Sequence, residues 1–280
     1  MRKRAIIVAA VIMLATAGLS QAFEPGDIGI DVGASYMSRY VWRGFDTYAK
    51  NHSAFQPFVD FTFGDTGFRF GIWMSRANGS GFEALEEIDY TVAYGNSLWG
   101  ETSHAMNWEV GYTYYNYPDG PTPTLNPTLA TRDLDAQEMF LELSWPSICP
   151  AGIVPSYTLL RMWPDEGGRR SDGTTRSNFR DSGGWGHKFA LAYDQKVPGF
   201  LGNNPEQVLN WTVETWFNDG VGAADVDQDW SHAVFGVSTD FGAWGNGTVT
   251  PGIWYQSSWD DSVNESDEWW FGLTGKWKVR

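Results

Sequence analysis

One cysteine in 280 residues leaves the chain no means of closing itself with an intramolecular disulfide. Cations are scarce as well. Nineteen Lys and Arg stand against 34 Asp and Glu, a formal charge of −15, which excludes nucleic acid as a natural partner. The four histidines show no zinc-ligand spacing, and no glycine-rich phosphate loop is present. Beyond the first twenty residues no apolar run is long enough for a helical membrane span. What the chain does have is aromatic bulk, 16 Trp, 12 Tyr and 17 Phe, set among 32 Gly.

The N-terminus reads as an export leader. Arg2, Lys3 and Arg4 precede an apolar stretch over 5–19, and Ser20-Gln21-Ala22 has the small-x-small form of a cleavage site before Phe23. The organisation expected is a signal peptide at 1–22 and one domain at 23–280. Loss of the three leader cations takes the formal charge from −15 to −18. No cysteine follows the cut, so no lipid anchor is expected there. Cys149, between Pro146 and Pro150, reads as an unpaired turn cysteine.

The mature chain alternates apolar and polar residues in about twelve short segments. At 268–280, Trp269, Phe271, Leu273, Trp277 and Val279 share one parity, and Glu268, Thr274, Lys276, Lys278 and Arg280 the other. Successive side chains of a strand point to opposite faces, so this segment has one greasy wall and one charged wall. A first strand over 27–43 sets Ile28, Ile30, Val32, Tyr36, Tyr40 and Trp42 against Asp31, Ser35, Arg39 and Arg43. A second sets Phe55, Val59 and Phe61 against Gln56, Asp60 and Thr62. Strands three to six repeat the alternation, with Arg69, then Glu87 and Asp89, then Glu109, then Glu138 and Glu142 on the polar parity. A seventh strand, near 153–163, alternates too poorly for its faces to be assigned.

The connections alternate in length. Links near 116–135 and 164–184 are long, whereas Gly64–Gly67 and 241–247 are short. The expected fold is therefore all-β: a single antiparallel transmembrane β-barrel of about 12 strands, with short periplasmic turns and longer outer loops. Tyr40, Trp42, Trp185, Phe217, Tyr255 and Trp269 fall near the outer strand ends. Phe63, Phe68, Tyr94, Trp145, Tyr193 and Trp277 fall near the inner ends, as two interfacial belts require. The competing reading, a secreted β-sandwich, shares the period but has less use for outward Trp at strand ends.

The segment Ser38-Arg39-Tyr40-Val41-Trp42-Arg43-Gly44, followed by Ser53-Ala54-Phe55-Gln56-Pro57, resembles the signature of the TorF-type putative porins. Gly71-Ile72-Trp73-Met74-Ser75, Glu87-Ile88-Asp89-Tyr90 with Tyr94-Gly95, and Glu138 to Leu141 are similar to later elements of that family. The resemblance is specific over about 35–95 and rests on pattern beyond 145. It implies an outer-membrane barrel of a Gram-negative-type bacterium, with a solute mostly unassigned across the family. The chain departs from such barrels at its end, where Trp277-Lys278-Val279-Arg280 replaces a terminal aromatic residue.

Charges on a lipid-facing wall cost about 2–4 kcal/mol for Arg or Lys near the midplane, so the charged parity must face an interior. Arg39, Arg43, Gln56, Asp60, Arg69, Asp89, Glu109, Glu138 and Glu142 are the expected lumen and constriction residues. Arg39, Arg43, Gln56, Asp60 and Arg69 are expected to form one polar cluster. Inward Gly29, Gly33, Gly71, Gly111 and Gly252 are expected to leave space for a narrow channel. The function expected is a porin-like channel for passive diffusion of small hydrophilic solutes, with no enzymatic activity, cofactor or metal. Its expected partners are outer-membrane lipid, lipopolysaccharide and the assembly machinery, besides the solute. A non-conducting anchor or scaffold, plugged by ion pairs, is the alternative. A lipolytic barrel would need a Ser beside outward His187, and none is spaced for it. Asp225-Val226-Asp227-Gln228-Asp229 resembles the start of a calcium loop but lacks the sixth-position Gly. Arg169, Arg170, Arg176 and Arg180 read as a solvated loop.

Overall fold

The computed structural model describes residues 28–49, 52–118, 135–164, 183–201, 205–222 and 226–280. The leader and the arginine-rich loop at 165–182 lie outside these, as does Asp225 of the acidic segment.

Twelve strands follow one another in chain order: β1 Ile28–Met37, β2 Ala54–Phe63, β3 Phe68–Ala77, β4 Glu87–Leu98, β5 Met106–Asn116 and β6 Ala136–Ser144. They continue with β7 Val154–Pro164, β8 Trp185–Pro198, β9 Glu206–Asp219, β10 Gln228–Ser238, β11 Gly247–Ser258 and β12 Glu268–Lys278. Each pairs antiparallel with its sequence neighbours, and β12 returns to pair with β1 through Val32 opposite Trp277 and Tyr36 opposite Leu273. The sheet therefore closes into a 12-strand barrel, which leaves no unpaired edge in a membrane.

Register fixes the faces, because residues opposite one another in a ladder share a side. Phe55, Phe189, Leu191, Val213, Phe235, Ile253, Phe271 and Leu273 are all exposed and outward. Ser35, Gln56, Ser75, Glu87, Thr113, Glu138, Gln256 and Glu268 are buried and inward. The same logic settles β7. Leu141 faces Leu159 and Glu142 faces Thr158, so Tyr157, Leu159, Arg161 and Trp163 point out, while Thr158, Leu160 and Met162 point in. Its alternation is faint in sequence because the inward face is apolar at this height. Leu160 and Met162 pack in a buried cluster with Tyr115, Ala136 and Trp216.

The outer aromatic ring contains Trp185, Phe217, Tyr255 and Trp269, with Tyr255 and Trp269 4.6 Å apart. At the opposite end Phe68, Tyr94 and Trp108 form a ladder at 4.7 and 5.5 Å, and Trp277 meets Trp244 at 5.1 Å. Tyr40 and Trp42 do not belong to the outer ring. β1 ends at Met37 rather than running to Arg43, and both rings lie inside the barrel.

The inward glycines hold side chains rather than open space. A Cβ on Gly33 would sit 2.4 Å from Phe58 and 2.5 Å from the Gly275 carbonyl. One on Gly111 would meet Phe140 at 2.3 Å, and one on Gly252 would meet Trp254 at 2.3 Å. These three glycines are sockets for large inward residues, which removes the spare volume that sequence alone assigns to them, while Gly29 and Gly71 meet only Thr62 and Asp60 among side chains. Gly33→Val should therefore cost at least about 1–3 kcal/mol, because the obstruction includes backbone. Urea unfolding of the micelle-bound barrel would measure it, and an unchanged midpoint would show that Phe58 is not fixed there.

One loop carboxylate reports on strand packing. The Tyr255 hydroxyl donates to Asp267 at 2.5 Å and the Ser258 N–H donates at 2.9 Å, together holding this carboxyl below its ordinary range. A depressed carboxylate adds stability that is present above its unfolded pKa and is lost as pH falls through the folded one. Tyr255→Phe should raise the Asp267 midpoint toward the ordinary Asp value in an NMR titration. An unmoved midpoint would remove Tyr255 as the cause.

Candidate functional site

The connection after β1 turns back into the barrel over residues 38–49. Val41 pairs with Asp46 and Trp42 with Phe45, making a small hairpin whose tip is Arg43-Gly44. Both tip residues have positive φ, 50° and 96°. Two-residue hairpins favour this geometry because its twist matches the strands, and Gly44 accepts it freely. For Arg43 the left-handed region costs roughly 1–2 kcal/mol, so its side chain must be well held.

It is. The Arg43 guanidinium meets Glu138 of β6 through both terminal nitrogens, at 2.5 and 2.9 Å. It also donates to the Tyr115 hydroxyl at 3.3 Å, and Tyr115 donates in turn to Glu138 at 3.2 Å. The rings of Trp42 and Trp216 lie 4.6 and 5.4 Å from it. A planar, permanently charged guanidinium suits this combination of ion pairing, hydrogen bonding and ring contact, and a lysine would not reproduce it. Beside it, the Gly44 carbonyl accepts from Gln256 at 2.8 Å and from Asn264 at 3.0 Å. A Cβ on Gly44 would come within 2.6 Å of His232, so the tip is wedged against β10.

The base of the loop is anchored on the other side of the lumen. Tyr48 is fully buried and donates to Ser75 of β3 at 3.0 Å, and Gln56 donates to the same hydroxyl at 3.4 Å. Tyr40 donates to Glu87 of β4 and packs on Tyr48 and Trp73 at 5.4 and 5.7 Å. Arg39 pairs with Glu268 of β12. The loop thus crosses the barrel like a latch, hinged on β2–β4 and caught by β5, β6 and β9–β11.

Further along the lumen a second polar level is wetter. Arg69 forks onto Glu109 at 2.7 and 2.5 Å with both side chains partly exposed, and Lys276 pairs with Asp31 at 2.9 Å. Glu142 stands directly opposite Glu109 in the ladder, and both line a cleft of about 340 Å³ with Asn96 and Asn107. The Asp60 carboxylate leans over Gly71.

The residues expected to form one cluster are divided among three places. Arg39, Gln56 and the neighbouring Glu87 hold the latch base; Arg43 and Glu138 hold its tip; Asp60, Arg69, Glu109 and Glu142 lie at the deeper level. Asp89 sits on β4 beside the latch, opposite Trp73 and Tyr115 in the two ladders, with one buried carboxylate oxygen lacking a hydrogen-bond partner. Arg39 and Arg43 belong to the infolded loop and not to strand one. Tyr115, Trp216, His232 and Gln256 complete the site without having been singled out in the sequence; the inward parity of β5 and β9–β11 was the signal for them. His187 points outward and bonds the Tyr157 hydroxyl at 2.8 Å, a tyrosine rather than the serine that a lipolytic pair requires.

A closed barrel with an apolar, aromatic-ringed outside and a charged inside is a membrane-spanning β-barrel. No protein-family model matches the chain, and no curated protein matches it in sequence. Among solved structures it is similar to the NanC porin, with a TM-score of 0.50 at 11% identity over 89% of this chain and 100% of that one. It is also similar to an outer-membrane channel from Pseudomonas putida F1, at 0.46 and 11% over 92% and 98%. A third is the KdgM porin in complex with disordered oligogalacturonate, at 0.44 and 7% over 90% and 99%. At such identity the likeness to the NanC porin shows the fold alone.

Proposed function

We propose that this chain is a porin-like channel of the bacterial outer membrane, of the TorF type its 35–95 motifs resemble, passing small hydrophilic solutes. The observation that carries this reading is the infolded latch, which leaves cavities against it inside a charged barrel. Cavities lie on both of its sides. One of about 280 Å³ is lined by Trp42, Phe45, Thr47 and Tyr117, and one of about 170 Å³ by Arg43, Glu214 and Gln256. The longer connections, latch included, then face outward to lipopolysaccharide, the short turns face the periplasm, and the leader delivers the chain to the assembly machinery.

Carboxylates prevail on the inward side: Asp31, Asp60, Glu87, Asp89, Glu109, Glu138, Glu142, Asp194, Glu206, Glu214 and Glu268 against Arg39, Arg43, Arg69, Lys188, Lys196, Lys276 and Lys278. In a low-dielectric tube such an excess favours cations. Purified protein in planar bilayers should conduct, with reversal potentials under a KCl gradient showing cation preference. A folded barrel that stays silent would sink the channel reading in favour of an anchor or scaffold. Anion preference would remove these carboxylates from the conducting path.

A further inference from the structure

The 170 Å³ cavity lies on the turn side of the latch tip, where Thr212, Val234, Trp254 and Trp270 come one pleat deeper than Glu214, His232 and Gln256. Two features mark it as more than a packing gap. Trp254 and Trp270, opposite one another on β11 and β12, stack nearly parallel at 14° with ring centres 6.1 Å apart, and both line the cavity. Above them, two polar side chains are essentially inaccessible yet incompletely bonded. His232 is 1% exposed with its Nε2 unpartnered, and Gln256 is 0% exposed with its Oε1 unpartnered. Their other atoms are committed, His232 Nδ1 to Ser231 at 2.9 Å and Gln256 Nε2 to Gly44 and Ser258. Buried polar atoms without partners are uncommon, and both of these residues line the cavity.

We propose that this cavity is a subsite for one neutral, polyhydroxylated ring of monosaccharide size; the proposal rests on the channel reading for its role in transport. The volume exceeds the roughly 150 Å³ that takes up one six-membered carbon ring in an engineered protein cavity. Aromatic faces carry negative charge density and attract the C–H face of such a ring. Hydroxyls both donate and accept, so such a ring suits a lining that holds amide, imidazole and carboxylate groups. Charge argues for neutrality. Arg43 and Glu214 both line the cavity, so the lining carries no net charge that would favour an ion of either sign.

Isothermal titration of the detergent-solubilised full barrel with D-glucose should give saturable binding. Trp270→Ala and Gln256→Ala should each weaken it at least about tenfold, as loss of a central contact does. Trp270→Phe, which keeps a ring and guards against misfolding, should retain part of it, and Trp269→Phe on the outer wall should change nothing. Glucosamine and glucuronate should bind more weakly than glucose. Absence of saturable binding, equal binding by both cavity variants, or tighter binding of a charged relative would overturn the proposal. Conduction without glucose binding would leave the channel reading standing alone, whereas binding by a barrel silent in bilayers would leave only the subsite.

Discussion

Arg43→Ala should open the channel and weaken the barrel at once. Alanine pays the same left-handed backbone cost as arginine, so the substitution removes only what the side chain does. It leaves Glu138, whose side chain is 4% exposed, without its counterion. Removing one member of a buried pair typically costs about 3–5 kcal/mol, because the other charge stays desolvated. The tip also loses its seat between Trp42 and Trp216, so the hairpin is free to leave the lumen. Single-channel conductance should rise several-fold, and selectivity should move further toward cations because a cation has left the interior. Arg43→Ala combined with Glu138→Gln removes the stranded charge. Stability should then recover in part while conductance stays high. If conductance is unchanged in both variants, the latch does not limit flow.

The same hairpin marks where the sequence could be read and where it could not. Period-two alternation located all twelve strands and assigned the faces of most, because a lipid-exposed wall tolerates apolar residues only on one parity. The alternation also ran on past Met37 through Tyr40 and Trp42, since a hairpin turned into the lumen keeps the same period. Only the Arg43-Gly44 tip, a two-residue turn between two short extended pairs, distinguishes loop from strand. The Ser38–Gly44 motif on which the family resemblance rests is this latch. Pairings across the lumen were not legible at all. Arg43 with Glu138 spans 95 residues, and Arg39 with Glu268 far more, and nothing local encodes which carboxylate a guanidinium will reach. The glycine sockets were hidden for a related reason. Whether an inward glycine opens a tube or receives a ring depends on the neighbouring strand's register, which parity alone does not supply.

The outer wall offers a sharper test of orientation than the lumen does. Leu141 lies in the middle of β6, outward, between Val110 and Leu159. Leu141→Arg should cost about 2–4 kcal/mol in folding into vesicles, the penalty for a cation facing hydrocarbon near the midplane. Arg161 shows how the same residue is tolerated elsewhere on that wall. It points outward from the loop end of β7, with its guanidinium 5.5 Å from the ring of Trp185 in the outer aromatic ring. There a cation costs about 0–1 kcal/mol, and the ring contact returns a similar amount. Arg161→Leu should accordingly shift the folding free energy by less than about 1 kcal/mol. The contrast between the two variants measures depth directly, because both exchange the same two side chains in opposite directions on adjacent strands. Equal costs at both positions would mean that this face does not cross a bilayer, and the charged interior would then need another explanation than a water-filled lumen.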